Sequence, residues 1–174
     1  MKIAVCISGQ PRNYEQGFYE LKKWFLDKYD CDVYIHTWKD TKSPFILSHN
    51  FTKTRQYNFT EKDYDRILEL YKPKDYIFQK PIPFDNGKII GDLGVGMNTI
   101  LSIFYSIQQS FNLAKQSGIK YDLVIRYRFD LQFTDYVSPE CIFLKDLSQI
   151  DGTKFNCFSY KHGDRGQVRP VEVD

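Results

Sequence analysis

The stretch Tyr121-Asp122-Leu123-Val124-Ile125-Arg126-Tyr127-Arg128-Phe129-Asp130-Leu131 reads as a strand that carries charge where a core strand has none. Alternation along a strand sends successive side chains to opposite faces. Leu123, Ile125, Tyr127 and Phe129 then share one face, and Val124, Arg126, Arg128 and Asp130 share the other. The segment follows a long amphipathic pattern, as a strand follows the helix of a β-α-β crossover. Such strands are usually covered on both faces. Two guanidinium groups and a carboxylate on a covered face are costly unless they pair or meet a ligand. Two readings answer this. One is an edge strand with a wet face. The other is a polar crevice at the carboxyl end of a central strand, where open α/β sheets bind ligands, with Asp130 at its rim.

Upstream, Ile3-Ala4-Val5-Cys6-Ile7 is a continuous apolar run, the pattern of a parallel strand buried on both faces. Ser8 to Arg12 breaks it with Gly and Pro. Asn13 is placed to cap a helix, with Gln16 in capping-box position and Phe18, Leu21, Trp24 and Phe25 as its apolar stripe. Cys31 to Thr37 follows as a second strand, so the chain opens β-loop-α-β, the unit of an α/β nucleotide-binding fold. Residues 39–59 are polar and aperiodic and read as a loop. Thr60 caps a helix with Tyr64, Ile67, Leu68 and Tyr71 on one face, stopped by Pro73, and Asp75 to Gln79 reads as a third strand. Asp85 to Gly96 reads as a glycine-containing loop. The helix from Met97 to Ser117 has Met97, Ile100, Leu101, Phe104, Ile107, Phe111 and Ala114 in register, with Gly118 at C′. Past Asp130 the pattern weakens. Cys141 to Leu147 suggests a short helix or strand, Phe155 to Tyr160 a strand, and the polar tail from Lys161 to Asp174 no closing element.

A chain of 174 residues suits one domain with a sizeable core. A net charge of +2, with the basic residues spread along the chain, argues against a nucleic-acid partner. The aromatic share of 17% suits a pocket for sugars or bases, although most such rings belong to cores. The apolar run after Lys2 is too short for a signal peptide or a transmembrane segment. Cys6, Cys31, Cys141 and Cys157 show no zinc-ligand or C-x-x-C spacing, so reduced thiols and a cytoplasmic location are expected.

Gly91, Gly94 and Gly96 are in the order G-x-x-G-x-G with no strand leading directly into them, which excludes the dinucleotide fingerprint. Asn86-Gly87-Lys88-Ile89 lacks the parts of a P-loop. Ser8-Gly9-Gln10-Pro11-Arg12-Asn13 is the better ligand candidate. It leaves the carboxyl end of the first strand and enters a helix N-terminus, and Arg12 adds a planar donor suited to phosphate. Its bland alternative is a Gly-Pro turn with a solvent-facing Arg. His36, ending the second strand, is more simply a hydrogen-bonded structural residue than a catalyst. Asp130 together with a substrate diphosphate would suffice for Mg²⁺ or Mn²⁺, which keep several waters.

Val5 to Arg12, Asp32 to Trp38, Ser102 to Ser106 and Tyr121 to Leu131 together resemble a group of glycosyltransferases of the GT-A fold found in bacteria, phages and large DNA viruses. The resemblance covers the blocks from residue 3 to about residue 131. It implies a Rossmann-like, three-layer α/β/α nucleotide-diphospho-sugar transferase domain spanning 1–174, with the nucleotide-sugar part in 1–131 and the part at 132–174 cut short. It further implies a nucleotide-sugar donor lined by Ser8, Gly9, Gln10 and Arg12, and a divalent metal, Mn²⁺ or Mg²⁺, at Asp130. Asp130 stands at the first acidic position of a D-x-D motif, whose second position here is Gln132, a poorer ligand for a hard cation.

The expected activity is transfer of a sugar from the donor to a glycan or other hydroxyl acceptor. Arg126, Arg128 and Asp130 are the catalytic candidates, because a departing diphosphate gathers negative charge. A non-catalytic nucleotide- or glycan-binding module of the same fold is the alternative, and a structural domain with an internal ion network of Arg126, Arg128 and Asp130 is the third.

Overall fold

Strand β1 (Lys2–Gly9) buries every residue from Ile3 to Ser8, as a run without alternation requires when both faces are covered. The structure, a computed structural model, describes residues 1–49, 53–84, 89–90, 95–131, 156–159 and 169–172. After β1 comes α1 (Tyr14–Leu21), continued by one π-type turn over Lys22–Leu26. The capping box expected at Asn13 does not form. Asn13 is in the left-handed region at φ 52° with no side-chain cap, and Gln16 donates instead to Glu20 at 3.4 Å. Strand β2 (Asp30–Trp38) then pairs with β1 in parallel, Val5 opposite Val33.

The polar region 39–59 is not simply a loop, because β3 (Phe45–His49) and β4 (Lys53–Tyr57) form an antiparallel pair. Phe45 and Phe59 bury their rings, 5.7 Å apart, and tie this hairpin to the core. Its polar strand residues gave no alternation to read. Helix α2 (Glu61–Tyr71) carries the capping box of Thr60 with Asp63 and buries Tyr64, Ile67 and Tyr71. Strand β5 (Asp75–Gln79) extends the sheet, parallel to β2. Within Asp85 to Gly96, two-residue strands β6 (Ile89–Ile90) and β7 (Val95–Gly96) pair, while Gly91 and Gly94 lie outside the described residues.

Helix α3 (Met97–Gln116) runs where expected, but its apolar register does not all face inward. Leu101 and Phe104 are exposed, and the buried positions are Ser106, Ser110, Leu113 and Ala114. Small residues spaced four apart let the helix approach the sheet closely, and the Ser106 hydroxyl reaches partners there. Strand β8 (Leu123–Tyr127) adds to the other side of β1, again in parallel. The tail does hold a closing element: β9 (Asn156–Ser159) pairs antiparallel with β10 (Arg169–Glu172). Cys141 to Leu147 lies outside the described residues.

The order β5-β2-β1-β8 is thus a four-stranded parallel sheet with helices on both faces, a Rossmann-like α/β arrangement. On one face Ile3, Val5 and Ile7 pack with Leu21, Phe25, Ile67, Tyr71, Tyr127 and Phe129. On the other, Ala4, Cys6 and Tyr34 pack with Leu113 and Ala114 of α3. Strand β8 ends the order among the described strands, and β1, not β8, is central. Val124 and Arg126 register with Ala4 and Cys6 on the α3 face and are exposed, because α3 lies over β1, β2 and β5. Among the described residues, then, β8 is an edge strand with Val124 and Arg126 exposed on one face, as the wet-edge reading has it. Among the described residues no helix is long and apolar enough to cross a membrane.

Candidate functional site

The chain winds outward from β1 through β2 to β5, then returns through α3 to place β8 on the opposite side of β1. The point where the strand order reverses therefore lies between the carboxyl ends of β1 and β8. Open α/β sheets bind ligands in the crevice at such a point, because the two connections leave in opposite directions and part there. One loop, from Gly9 to Asn13, leaves β1; the other, from Arg128 to Leu131, leaves β8.

The two loops meet through charge. Arg128 grips Asp130 with two parallel bonds, Nε to Oδ1 at 2.8 Å and Nη2 to Oδ2 at 2.9 Å. Arg12 forms an ion pair with the same carboxylate, Nη2 lying 2.9 Å from Oδ2, and its Cζ lies 5.8 Å from the centre of the Tyr57 ring. The Arg12 and Asp130 side chains are only 14% and 18% exposed, whereas that of Arg128 is 49% exposed. Arg126 stands exposed on β8 opposite Cys6. Of the expected site residues, then, the fold joins Arg12, Arg128 and Asp130 directly.

Helix α1 sets the spacing of the two loops. Gly17 lies directly against the backbone of Phe129, so that a Cβ there would sit 2.7 Å from the Phe129 carbonyl carbon. Tyr127 donates its hydroxyl proton to the Gly17 carbonyl at 3.1 Å, and the buried Phe129 ring meets Tyr71 edge-on at 5.5 Å. These interactions hold the residues on either side of Arg128, and with them Asp130, against the helix that follows Arg12.

The first loop is held from behind by a polar network. Gly9, at φ 111°, has a backbone conformation that side chains other than glycine's rarely allow. Its N–H donates to Ser106 Oγ at 3.0 Å, and its carbonyl accepts from the Thr37 hydroxyl at 2.7 Å. Ser106 Oγ lies 2.8 Å from His36 Nδ1, and His36 Nε2 lies 3.4 Å from Gln79 Oε1, which also accepts from the Tyr105 hydroxyl at 3.2 Å. With Gln79 Oε1 an acceptor, the network assigns the imidazole proton to Nε2 and directs the Ser106 proton at Nδ1. His36 is the structural residue expected. Ser106, its partner, was missed as a site residue, and its signal was the four-residue spacing of Ser102, Ser106, Ser110 and Ala114 along α3.

Burial holds the His36 pKa below its ordinary value of 6.5, against the smaller upward pull of the Gln79 bond. Well above pH 6.5 both folded and unfolded states are neutral and the contribution is complete. As pH falls below 6.5 the unfolded chain takes up a proton that the folded chain resists, so stability drops toward the folded-state pKa. Urea midpoints measured from about pH 8 down to about pH 5 are expected to fall in the wild type and to fall less in His36→Gln. Equal slopes would contradict this placement of His36.

Among the described residues, three buried polar atoms beside these loops lack a partner: Ser8 Oγ, Gln10 Oε1 and Arg12 Nε. Ser8 is the next-to-last residue of β1, and Gln10 and Arg12 lie in the loop that leaves it. Native interiors rarely leave such groups unpaired, and each costs about 1–3 kcal/mol. They comprise one donor, one acceptor and one hydroxyl.

Asp130 as arranged does not fit a divalent ion. Each oxygen accepts a hydrogen bond from Arg128, and Oδ2 also lies 2.9 Å from the Arg12 guanidinium, so both neighbours of the carboxylate are positive. Among the described residues there is no group of three or more His, Cys, Asp or Glu side chains that could hold a metal. Gln132 lies outside the described residues.

A second concavity, about 630 Å³, lies at the opposite end of the sheet, lined by Lys22, Cys31, Asp32, Tyr71 and Lys74 among others. Its charges are mutually neutralised, with Lys74 3.1 Å and Lys2 3.5 Å from Asp32. Burial chiefly pushes the Cys31 thiol up to about 11, which leaves it unreactive. Unsatisfied chemistry favours the ends of β1 and β8 over this groove, and chemistry is the better guide to a ligand. Comparisons with protein-family models, with curated proteins and with solved structures found no match.

Proposed function

We propose that the crevice between the carboxyl ends of β1 and β8 binds the diphosphate of a nucleotide-sugar donor, and that the protein is a glycosyltransferase passing that sugar to an acceptor hydroxyl. The observation that carries this reading is the unpartnered set of Ser8 Oγ, Gln10 Oε1 and Arg12 Nε at the reversal point of the sheet. A phosphate oxygen satisfies the Arg12 N–H and the Ser8 hydroxyl. The Gln10 side-chain oxygen needs a donor instead, which a sugar hydroxyl or a base N–H supplies. A bare anion offers nothing to the Gln10 oxygen, whereas a nucleotide sugar carries both acceptors and donors.

In the transfer, negative charge gathers on the departing diphosphate. Guanidinium groups already fixed in a partly dry crevice stabilise that charge without reorganising. Arg12 is fixed by its burial and Arg128 by its fork on Asp130. A non-catalytic binder of the same ligand is the second reading, favoured by the engagement of Asp130 with both arginines.

Calorimetry with a uridine- or guanosine-diphosphate sugar tests the site. Arg12→Ala is expected to weaken binding by about 1–3 kcal/mol, the scale of a lost charge-assisted bond. Unchanged affinity in the folded variant would remove Arg12, and with it this reading. Slow donor hydrolysis without acceptor separates the enzyme from the binder.

A further inference from the structure

The Arg12 guanidinium is half satisfied. Its Nη2 lies 2.9 Å from Asp130 Oδ2 as an ion pair, while its buried Nε has no acceptor among the described residues. A planar guanidinium binds an oxyanion best through two parallel bonds, and Asp130 gives that geometry to Arg128 and not to Arg12. The carboxylate is therefore complete without Arg12, and Arg12 is incomplete with it. An arriving phosphate that spans Arg12 Nε and Nη2 would improve the arginine's bonding and leave the Arg128–Asp130 fork untouched.

Resting on the reading of this crevice as a diphosphate seat, we infer that Asp130 is the chain's own anion in that seat. It holds Arg12 while no donor is bound and passes wholly to Arg128 when a donor phosphate takes Arg12. Asp130 thus competes with the donor, and the arginines, not a divalent ion, neutralise the diphosphate. In the exchange Arg12 gives up its ion pair with Asp130 and gains a paired hydrogen bond to phosphate. The carboxylate remaining beside the donor opposes premature or non-specific anion binding. Removing its charge strengthens anion binding, the opposite of what a metal-holding carboxylate would give.

Calorimetric titration of the full chain with inorganic pyrophosphate, in metal-stripped buffer, tests this. Asp130→Asn is expected to bind pyrophosphate about tenfold more tightly than the wild type, the effect of relieving one competing ion pair. Adding Arg12→Gln to Asp130→Asn is expected to abolish that gain. A folded Asp130→Asn that binds no more tightly overturns the inference, as does wild-type binding that requires Mn²⁺. Asp130→Ala serves as a second variant lacking both the charge and the acceptors. Failure of both variants to fold also overturns the inference, because a displaceable anion must be dispensable to the fold. Tighter pyrophosphate binding in a protein that ignores nucleotide sugars keeps the exchange at Asp130 and removes the donor reading.

Discussion

Gly17→Ala is expected to destabilise the protein by about 3 kcal/mol or more, at or beyond the upper end of ordinary overpacking. The added methyl meets backbone, the Phe129 carbonyl, and not the end of a flexible side chain. Either α1 must lift from the sheet or the chain after β8 must move away. Both movements also lengthen the span between Arg12 and Asp130, because Arg12 leads into α1 and Asp130 follows Phe129 directly. Urea unfolding measures the loss. A midpoint within experimental error of the wild type would show that this close approach is not a feature of the folded protein.

Phe129→Ala is expected to cost about 3–5 kcal/mol, the range for removing a buried aromatic ring. Phe129 is wholly buried, and its ring meets Tyr71, whose hydroxyl donates to the Tyr14 carbonyl at 2.7 Å. The ring thereby ties the residue before Asp130 to both helices on that face. A loss below about 1 kcal/mol would place the ring outside the core. Gly17 and Phe129 touch, so the two costs should not add, and the double variant is expected to lose less than their sum.

Wherever the covering of an element was decided by neighbours along the chain, the element was legible. The unbroken run from Ile3 to Ile7, the Thr60 cap with Pro73 as stop, the limits of Asp75–Gln79 and the length of α3 all appear as read. The strand at 123–127 joins the same parallel sheet as the first two. The antiparallel pairs were not legible in this way. Phe45–His49 with Lys53–Tyr57, and Asn156–Ser159 with Arg169–Glu172, are held by partners across the strand and carry no clean alternation. The inward face of α3 was misjudged for a related reason. A stripe of large apolar residues announces burial, yet close approach to the sheet selects Ser106, Ser110 and Ala114, while Phe104 stays 65% exposed.

By itself, then, the sequence determined the class of the fold and the two loops in which a ligand would be sought. Strand and helix periodicities are local, and a Gly-Pro break after a buried strand is local too. It also placed Arg12 and Asp130 at the ends of their strands. Only the tertiary structure decided that β8 lies beside β1, so that two residues from distant parts of the chain share one ion pair at 2.9 Å. Only the tertiary structure left Ser8, Gln10 and Arg12 with unpaired atoms and gave Asp130 to two arginines. The physical reason is that pairing and burial are properties of neighbours in space. Composition and spacing can bring a charge to the rim of a crevice, but what that charge meets depends on which strand the crossover sets next to it.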